Sequence, residues 1–304
     1  MAELDATGLG IAPAMYEGLR ELLHEVVGPD AGLDVAVHRP NAEVVVPQSM
    51  IVEITTEIDR LHPVLASPGT GQMERLRTAF EERFGFREMA LLEAFDPDIG
   101  LDLDEVFAAP TGNANPARDT LLTRRVIECA QSGSWRLELS PMDMAALAVD
   151  RPDPLPDSVV VVGTVAAHDA QAVQNGRWQF VLENVHGPSA ARMMGRAATI
   201  DPVLRDHLRD LLRAEEEHDP DAIYAEVASP PVVADAPVLA RPAVREWEID
   251  VGIPGTSSAS RIPVSDLHVR LERGELVVTS KALGRRVFPR LTSAYDYWRF
   301  GPPI

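Results

Sequence analysis

The sequence predicts an α+β fold: a mainly helical part over residues 1–150, followed over 151–304 by a strand-rich part holding a mixed or antiparallel sheet with hairpins. Three observations predict it. Apolar residues recur at helical spacing through most of the first half. Period-two alternation dominates the last quarter. The strict β-α-β alternation that a doubly wound parallel sheet needs is missing.

The elements follow in order. Residues 12–27 place Met15, Leu19, Leu22, Leu23 and Val26 on one helical face, and Gly28-Pro29 stops that helix. Leu33 to Val37 alternates as a short strand. Pro47 opens a second helix with Ile51, Ile54, Ile58 and Leu61 as its apolar face, and SPGTG (67–71) is a loop. A third stripe, Met73, Leu76, Phe80 and Phe84, ends at Gly85. Residues 96–116 carry little apolar surface and read as a loop, the segment best suited to be mobile or covered by a partner. The helix over 117–131 presents Leu121, Leu122, Ile127 and Cys129 inward, so the thiol is read as core packing rather than a reactive group.

In the second half, SVVVVGTVA (158–166) reads as a strand buried on both faces. It pairs with Trp178–Leu182 across a loop closed by Asn175-Gly176. Asp201-Pro202 caps and opens a helix to about Glu217 with Val203, Leu204, Leu208, Leu211 and Leu212 inward. A strand at 223–228 leads into the connector SPPVVADAP, and Trp247–Val251 is a further strand. DLHVRL and ELVVTS, joined at Glu272-Arg273-Gly274, form a hairpin with Leu267, Val269 and Leu271 inward and His268 and Arg270 on the wet face.

Composition sets the class. The 304 residues, 45% hydrophobic and 25% charged, suit a soluble globular chain. The net charge of −19 is uneven: ten basic and seven acidic residues from Leu239 onward give +3, against −22 before. An anionic partner is therefore expected to approach the C-terminal part. Lys281 is the only lysine and Cys129 the only cysteine, so no internal disulfide or thiolate metal cluster can form. The N-terminus lacks the apolar stretch of a signal peptide, and no apolar run reaches the ~20 residues of a membrane span. A cytoplasmic protein without membrane attachment is expected.

Self-contained catalytic motifs are missing. GTG (69–71) lacks the Lys and hydroxyl of a phosphate-binding loop, no G-x-S-x-G elbow occurs, and Ser257, Ser258 and Ser260 lie in a Gly/Ser loop. The eight histidines show no metal-ligand spacing, so no metal or cofactor is expected. His168-Asp169 reads as a solvated loop pair.

Four long phrases remain: ERLRTAFEERFGFREMALLEAFDPDIGL (74–101), HGPSAARMMGRAATIDPVLRDHLRDLLRAEEEHDPDAIYAEVASPP (186–231), VLARPAVREWEIDV (238–251) and RIPVSDLHVRLERGELVVTSKALGRRVFPRLTSAYDY (261–297). In this order and spacing, which covers most of the chain, they resemble the glutamylation domain of lantibiotic dehydratases. The resemblance implies transfer of glutamate from glutamyl-tRNA, as co-substrate, to a Ser or Thr hydroxyl of a ribosomal precursor peptide. A second domain in such enzymes then eliminates glutamate. An activated ester needs orientation, proton handling and anion stabilisation rather than a metal, and phosphate-rich RNA is held by arginine contacts.

Carried over through the matching phrases, Glu82 is the candidate for proton handling or orientation of the peptide hydroxyl; the alternative is a solvated helix-face glutamate. Arg241 and Arg245 are candidates for an anionic group, or else ordinary partners of Glu246 or Glu248. Arg285, Arg286 and Arg290 either contact tRNA or form an exposed basic hairpin. Arg192 and Arg196 either bind substrate or position backbone. An active-site reading expects Glu82 to share a cleft with Arg241, Arg245 and Arg290.

The family pattern also has an earlier basic segment, a leader-gripping winged helix and the elimination domain, none of which is recognised here. Pro237-Val238 and Ala294-Tyr295-Asp296 depart from it as well. Two readings follow. One is a dehydratase part that works with a partner dehydratase chain or by self-association; the other is a non-catalytic scaffold that binds a peptide or protein. The charge of −22 before residue 239 favours the scaffold, and the retained Glu82, Arg241, Arg245 and Arg290 favour the enzyme part.

Overall fold

The computed structural model describes residues 11–29, 33, 35, 45–65, 72–107, 116–149, 152, 155–229, 239–252 and 259–295. The expected strand at 33–37, the loop at 67–71 and the connector at 229–237 lie wholly or largely outside them. The chain divides into two compact units, Met1–Ala42 and Glu43–Ile304. In the first, Pro13 opens helix α1 (Pro13–Val26), and Gly28, at φ +123°, follows its end. Its apolar stripe is as expected in sequence, yet none of its residues is buried.

The second unit begins with α2 (Gln48–Leu65) and α3 (Gln72–Phe84). In α2 the buried positions are Met50, Ile58 and Val64, while Ile51 is exposed. The inward stripe thus starts one residue earlier than expected. Its C-terminal end is held by Arg118, which donates to the Val64 carbonyl at 2.7 Å. In α3, Leu76, Phe80 and Phe84 are buried as read, Met73, expected inward, is 66% exposed on the first turn, and Gly85 (φ +61°) ends the helix.

Residues 96–107 correct the loop expectation. Asp96 accepts from the backbone N–H of Asp98 and Ile99, and Asp102 accepts from those of Asp104 and Glu105. The aspartates act as turn and helix caps. They open α5 (Leu103–Phe107), which follows β1 (Met89–Ala90) and the single turn α4 (Leu91–Ala94). Leu101 is buried, and Leu103, Val106 and Phe107 pack against Leu76, Phe80, Phe84, Val269 and Leu271.

Helix α6 (Pro116–Gln131) has the expected bounds but buries none of its residues. Ile127 is half exposed, and Cys129 is only partly buried, donating its thiol toward the Ser134 and Arg136 carbonyls. The core reading of Cys129 is therefore corrected. Helix α7 (Pro141–Leu147) follows behind a capping box of Ser140 and Asp143.

Strands β2 (Val160–Ala166) and β3 (Gln179–His186) pair antiparallel, as predicted, around α8 (Ala170–Gln174). No residue of β2 is buried, so the expectation of a strand covered on both faces is overturned. The reason is topological: these strands form a two-stranded sheet of their own.

A short helix, α9 (Gly195–Ile200), and the longer α10 (Pro202–Glu216) precede strand β4. Asp201 caps α10 through the N–H groups of Val203 and Leu204. Leu208 and Leu212 are buried against Ala191 and Ala198, and Val203, expected inward, is 79% exposed on the first turn.

The seven-stranded sheet runs β1-β7-β8-β9-β4-β5-β6, with β4 (Ile223–Ala228), β5 (Trp247–Asp250), β6 (Ser260–Pro263), β7 (Leu267–Glu272), β8 (Glu275–Ser280) and β9 (Arg285–Arg290). It is mixed, as predicted. The β1, β7, β8 and β9 side is antiparallel, and β9, β4, β5 and β6 run parallel. Ser260, read as loop, opens β6. The β7–β8 hairpin turns on Arg273 (φ +51°) and Gly274 (φ +83°), with Leu267, Val269 and Leu271 buried. A second apolar cluster, Ile223, Ala225, Ile249, Ile262 and Val287, fills the parallel side.

Candidate functional site

The apolar stripe of α10 delivers a carboxylate into the protein. Leu208, Leu212 and Glu215 lie at i, i+4 and i+7, and all three are buried. A buried carboxylate needs donors, and they arrive from three other segments. Arg245, whose side chain is fully buried, donates through Nη2 to both Glu215 oxygens at 3.2 and 3.3 Å and through Nη1 to Glu216 at 3.0 Å. Arg290, at the end of β9, donates Nε to Glu215 at 3.0 Å. The buried Ser189 hydroxyl donates to Glu215 at 2.8 Å.

A second buried carboxylate stands beside this cluster. Glu226, on central strand β4, meets Arg241 Nε at 2.7 Å and accepts the Thr292 N–H at 3.0 Å. Arg241 also reaches the Val227 and Leu239 carbonyls. The Thr292 carbonyl in turn accepts from the Gly195 N–H.

Electrostatics follow from burial. Desolvation pushes the Glu226 carboxyl above the ordinary carboxylate range, against the opposing pull of Arg241, Thr292 and Arg245. The Glu216 carboxyl is raised for the same reason against Arg245, and burial raises the Tyr224 phenol against Arg290. Arg290 lies 5.2 Å from the ring centroids of both Tyr224 and Phe288. On the outer side an open groove of about 430 Å³ is lined by Glu216, Glu217, Glu246, Tyr224, Trp247 and Arg285, among others.

The structure therefore brings Arg241, Arg245 and Arg290 together around Glu215 and Glu226. Of the carboxylates anticipated as their partners, Glu246 lines the groove and Glu248 is buried on β5 with an interaction of its own. Arg285 donates to the Pro220, Asp221 and Ala222 carbonyls ahead of β4. Arg286 faces Glu275 at 3.7 Å and stacks over Phe288 at 4.5 Å. Both sit at the start of β9, on the β8–β9 hairpin that the basic-hairpin reading anticipated, with Arg285 exposed and Arg286 partly covered. Arg192 donates to the Gly187 and Tyr295 carbonyls, and the exposed Arg196 stands on α9 with interactions of its own.

Glu82 is exposed on the outer side of α3, whose inner side carries Phe80 and Phe84. No hydrogen bond or ion pair among the described residues joins it to these arginines, and it does not line the groove. The residues that sequence reasoning passed over are Glu215, Glu226 and Ser189. Glu215 had a signal, a charge in phase with Leu208 and Leu212; Ser189 and Glu226 had none. His168 is a solvated pair with Asp169, as read.

Among the described residues, no group of three or more His, Cys, Asp or Glu is placed to hold a metal, and no helix is long and apolar enough to cross a membrane.

Comparison with known proteins adds the lineage. The family described as "Lantibiotic dehydratase, N terminus" matches residues 1–304. Among solved structures, the tRNA-dependent lantibiotic dehydratase MibB from Microbispora sp. 107891 is similar at TM-score 0.69 and 26% identity, over 83% of this chain and 26% of that one. The glutamylation domain TbtB from thiomuracin biosynthesis is similar at TM-score 0.56 and 17% identity, over 98% of this chain and 40% of that one. TbtB bound to 5'-phosphodesmethylglutamycin gives TM-score 0.58 at 18% identity, with the same coverage. The chain thus spans about a quarter of MibB and two fifths of TbtB. No curated protein sequence matches it.

Proposed function

The chain belongs to the lantibiotic dehydratase N-terminal family, and from that premise we propose that it takes part in moving glutamate from glutamyl-tRNA to Ser or Thr of a ribosomal precursor peptide. In this reading it works in the cytoplasm together with dehydratase segments outside its own 304 residues. The observation that carries the reading is the match to the TbtB glutamylation domain over 98% of the chain. MibB, described as tRNA dependent, supports it independently.

Glu82 is exposed and free of the arginine network, so it can meet a hydroxyl brought by another segment; its role is to orient that hydroxyl or take its proton. Of the candidate arginines, Arg285 at the start of β9 and Arg196 on α9 are exposed, and Arg286 and Arg192 are partly so; in this reading these four meet the RNA or the peptide. Arg241, Arg245 and Arg290 work from behind, fixing the sheet ends on which those groups stand.

The test mixes the chain with complementary dehydratase segments, glutamyl-tRNA and a precursor peptide, and reads the mass gain of one glutamyl group. Glu82→Gln is expected to lower the rate by about 100-fold or more. Undiminished glutamylation by E82Q removes Glu82 from the chemistry, and no product beside an active control removes the enzyme reading.

One observation favours a second reading, a non-catalytic scaffold that binds a peptide or protein. Arg241, Arg245 and Arg290 already hold buried carboxylates, and an anionic ligand would have to displace them. Peptide binding without glutamyl transfer in the same mixture would select that reading.

A further inference from the structure

We propose that the β2–β3 hairpin is the surface on which the complementary part of a glutamylation domain seats, through the apolar face built by Val161, Val165, Phe180, Leu182 and Val185. The proposal rests on the family reading above, and it names the partner: the three fifths of a TbtB-like domain for which this chain has no counterpart, whether joined to it or separate.

The register defines the face. Val165 stands opposite Phe180, Gly163 opposite Leu182 and Val161 opposite Val185, and opposite residues of an antiparallel pair point the same way. A Cβ at Gly163 would fall 2.3 Å from the Phe180 ring, so that ring lies across the glycine and closes the gap in the face. The other face is more polar at its tip, where Thr164 donates to Glu183 at 2.7 Å.

This apolar face is poorly covered. None of the seven β2 residues is buried; on this face Val165 is 42% exposed, and Val161, Phe180, Leu182 and Val185 are only partly covered. Exposure rises from the base, where Val160, Val161 and Val162 are partly covered, to the tip at Gly163–Ala166. Both strands are also sheet edges, with backbone donors and acceptors along their outer sides that no neighbouring strand takes up among the described residues.

A strand of near-continuous valine is the sequence of a covered strand, and an isolated two-stranded sheet is marginal in water. The hairpin therefore carries the sequence of an interior element in an exterior position. Almost all of this chain maps onto two fifths of the glutamylation-domain chain, so the cover expected for that element belongs to the remainder. Its chemistry is an apolar segment that lies on the Val165–Phe180 face, an extended strand at either edge being the simplest form.

The test uses the full 304-residue chain and, as probe, MibB lacking its matched quarter. Complex formation is followed by sedimentation, and amide exchange is read across β2 and β3 with no tRNA or precursor peptide present. A complex is expected in which amides of Val160–Ala166 and Gln179–His186 slow at least tenfold while those of β7 and β8 are unchanged. Val165→Asp, folded by circular dichroism, is expected to weaken the complex at least tenfold, and Val181→Asp on the opposite face is expected to leave it within about twofold. Three results would overturn the proposal: no complex, a complex that leaves hairpin exchange unaltered, or protection of the hairpin by self-association of the chain alone. A complex that forms but does not glutamylate peptide leaves this surface in place and sinks the enzyme reading instead.

Discussion

Glu215 is the carboxylate on which the buried arginines depend, and Glu215→Ala measures that dependence. The substitution removes the acceptor of Arg245, Arg290 and Ser189 at once. It leaves Arg245, with a fully buried side chain, only the neutral Ser189 hydroxyl and Glu216, a carboxylate that is itself 35% exposed. Arg290, 11% exposed, keeps the Pro289 carbonyl and the faces of Tyr224 and Phe288 but no carboxylate within bonding distance among the described residues. Removing one partner of a buried pair strands the other charge, which costs about 3–5 kcal/mol. Domains are stable by about 5–15 kcal/mol, so E215A is expected to sacrifice about a fifth or more of the total. At about 2 °C per kcal/mol for a chain of this size, Tm falls by about 6–10 °C. Urea denaturation followed by tryptophan fluorescence supplies the free energy. Asp206→Ala, which breaks the exposed Asp206–Arg209 pair, is the control and is expected to cost less than about 1 kcal/mol. E215A and Arg245→Ala should be non-additive, the double variant being at least about 1 kcal/mol better than the sum of the singles. A loss in E215A no larger than in D206A, or strict additivity, would refute the reasoning and return both arginines to the pool available for a ligand.

Three further outcomes are expected. Hydrogen bonds from Arg125 and Ser140 hold Asp143 at about 2, below the ~3.9 of an unfolded aspartate. Its contribution is thus complete above about pH 4 and lost as pH falls through about 2. Stabilities of the wild type and Asp143→Asn should differ at pH 5 and converge toward pH 2, and a constant difference would reject the assignment. Gly195→Ala places a Cβ 2.5 Å from the Thr292 carbonyl oxygen, which is backbone and cannot swing aside; a loss of about 1–3 kcal/mol in urea is expected. Gly18→Ala, inside α1 with nothing within 4 Å, should raise helix content by circular dichroism, in line with about 0.5–1 kcal/mol of helix propensity.

Much of the fold was legible because the period of apolar residues is a local property. The stripes of α3 and α10 and the alternation of β7 could be read within a dozen residues. Misreadings came where burial depends on distant chain. SVVVVGTVA is a covered strand by composition, but nothing local says whether the cover is present. Leu121, Leu122 and Ile127 likewise mark an apolar side of α6 that the described chain leaves unburied. The aspartates of 96–104 looked like disorder because composition does not separate a solvated acid from one that caps a turn. At the site, the arginines stood out as cations; their partners did not. Glu226 sits in a strand of six residues whose neighbours are parallel and remote, and its pairing with Arg241 is a product of topology. Glu215 alone was recoverable, from helical phase.

The pairing of β1 with β7 sets an order of assembly. Glu88, just before β1, contacts Arg270 on β7 across 182 residues of sequence. At about 5–20 residues per second of synthesis, the ribosome needs about 9–36 s to deliver that partner. Through this interval Phe80 and Phe84 lack Val269 and Leu271, against which they finally pack. Until then the nascent helical half exposes this apolar side, and β7 is the strand whose arrival covers it.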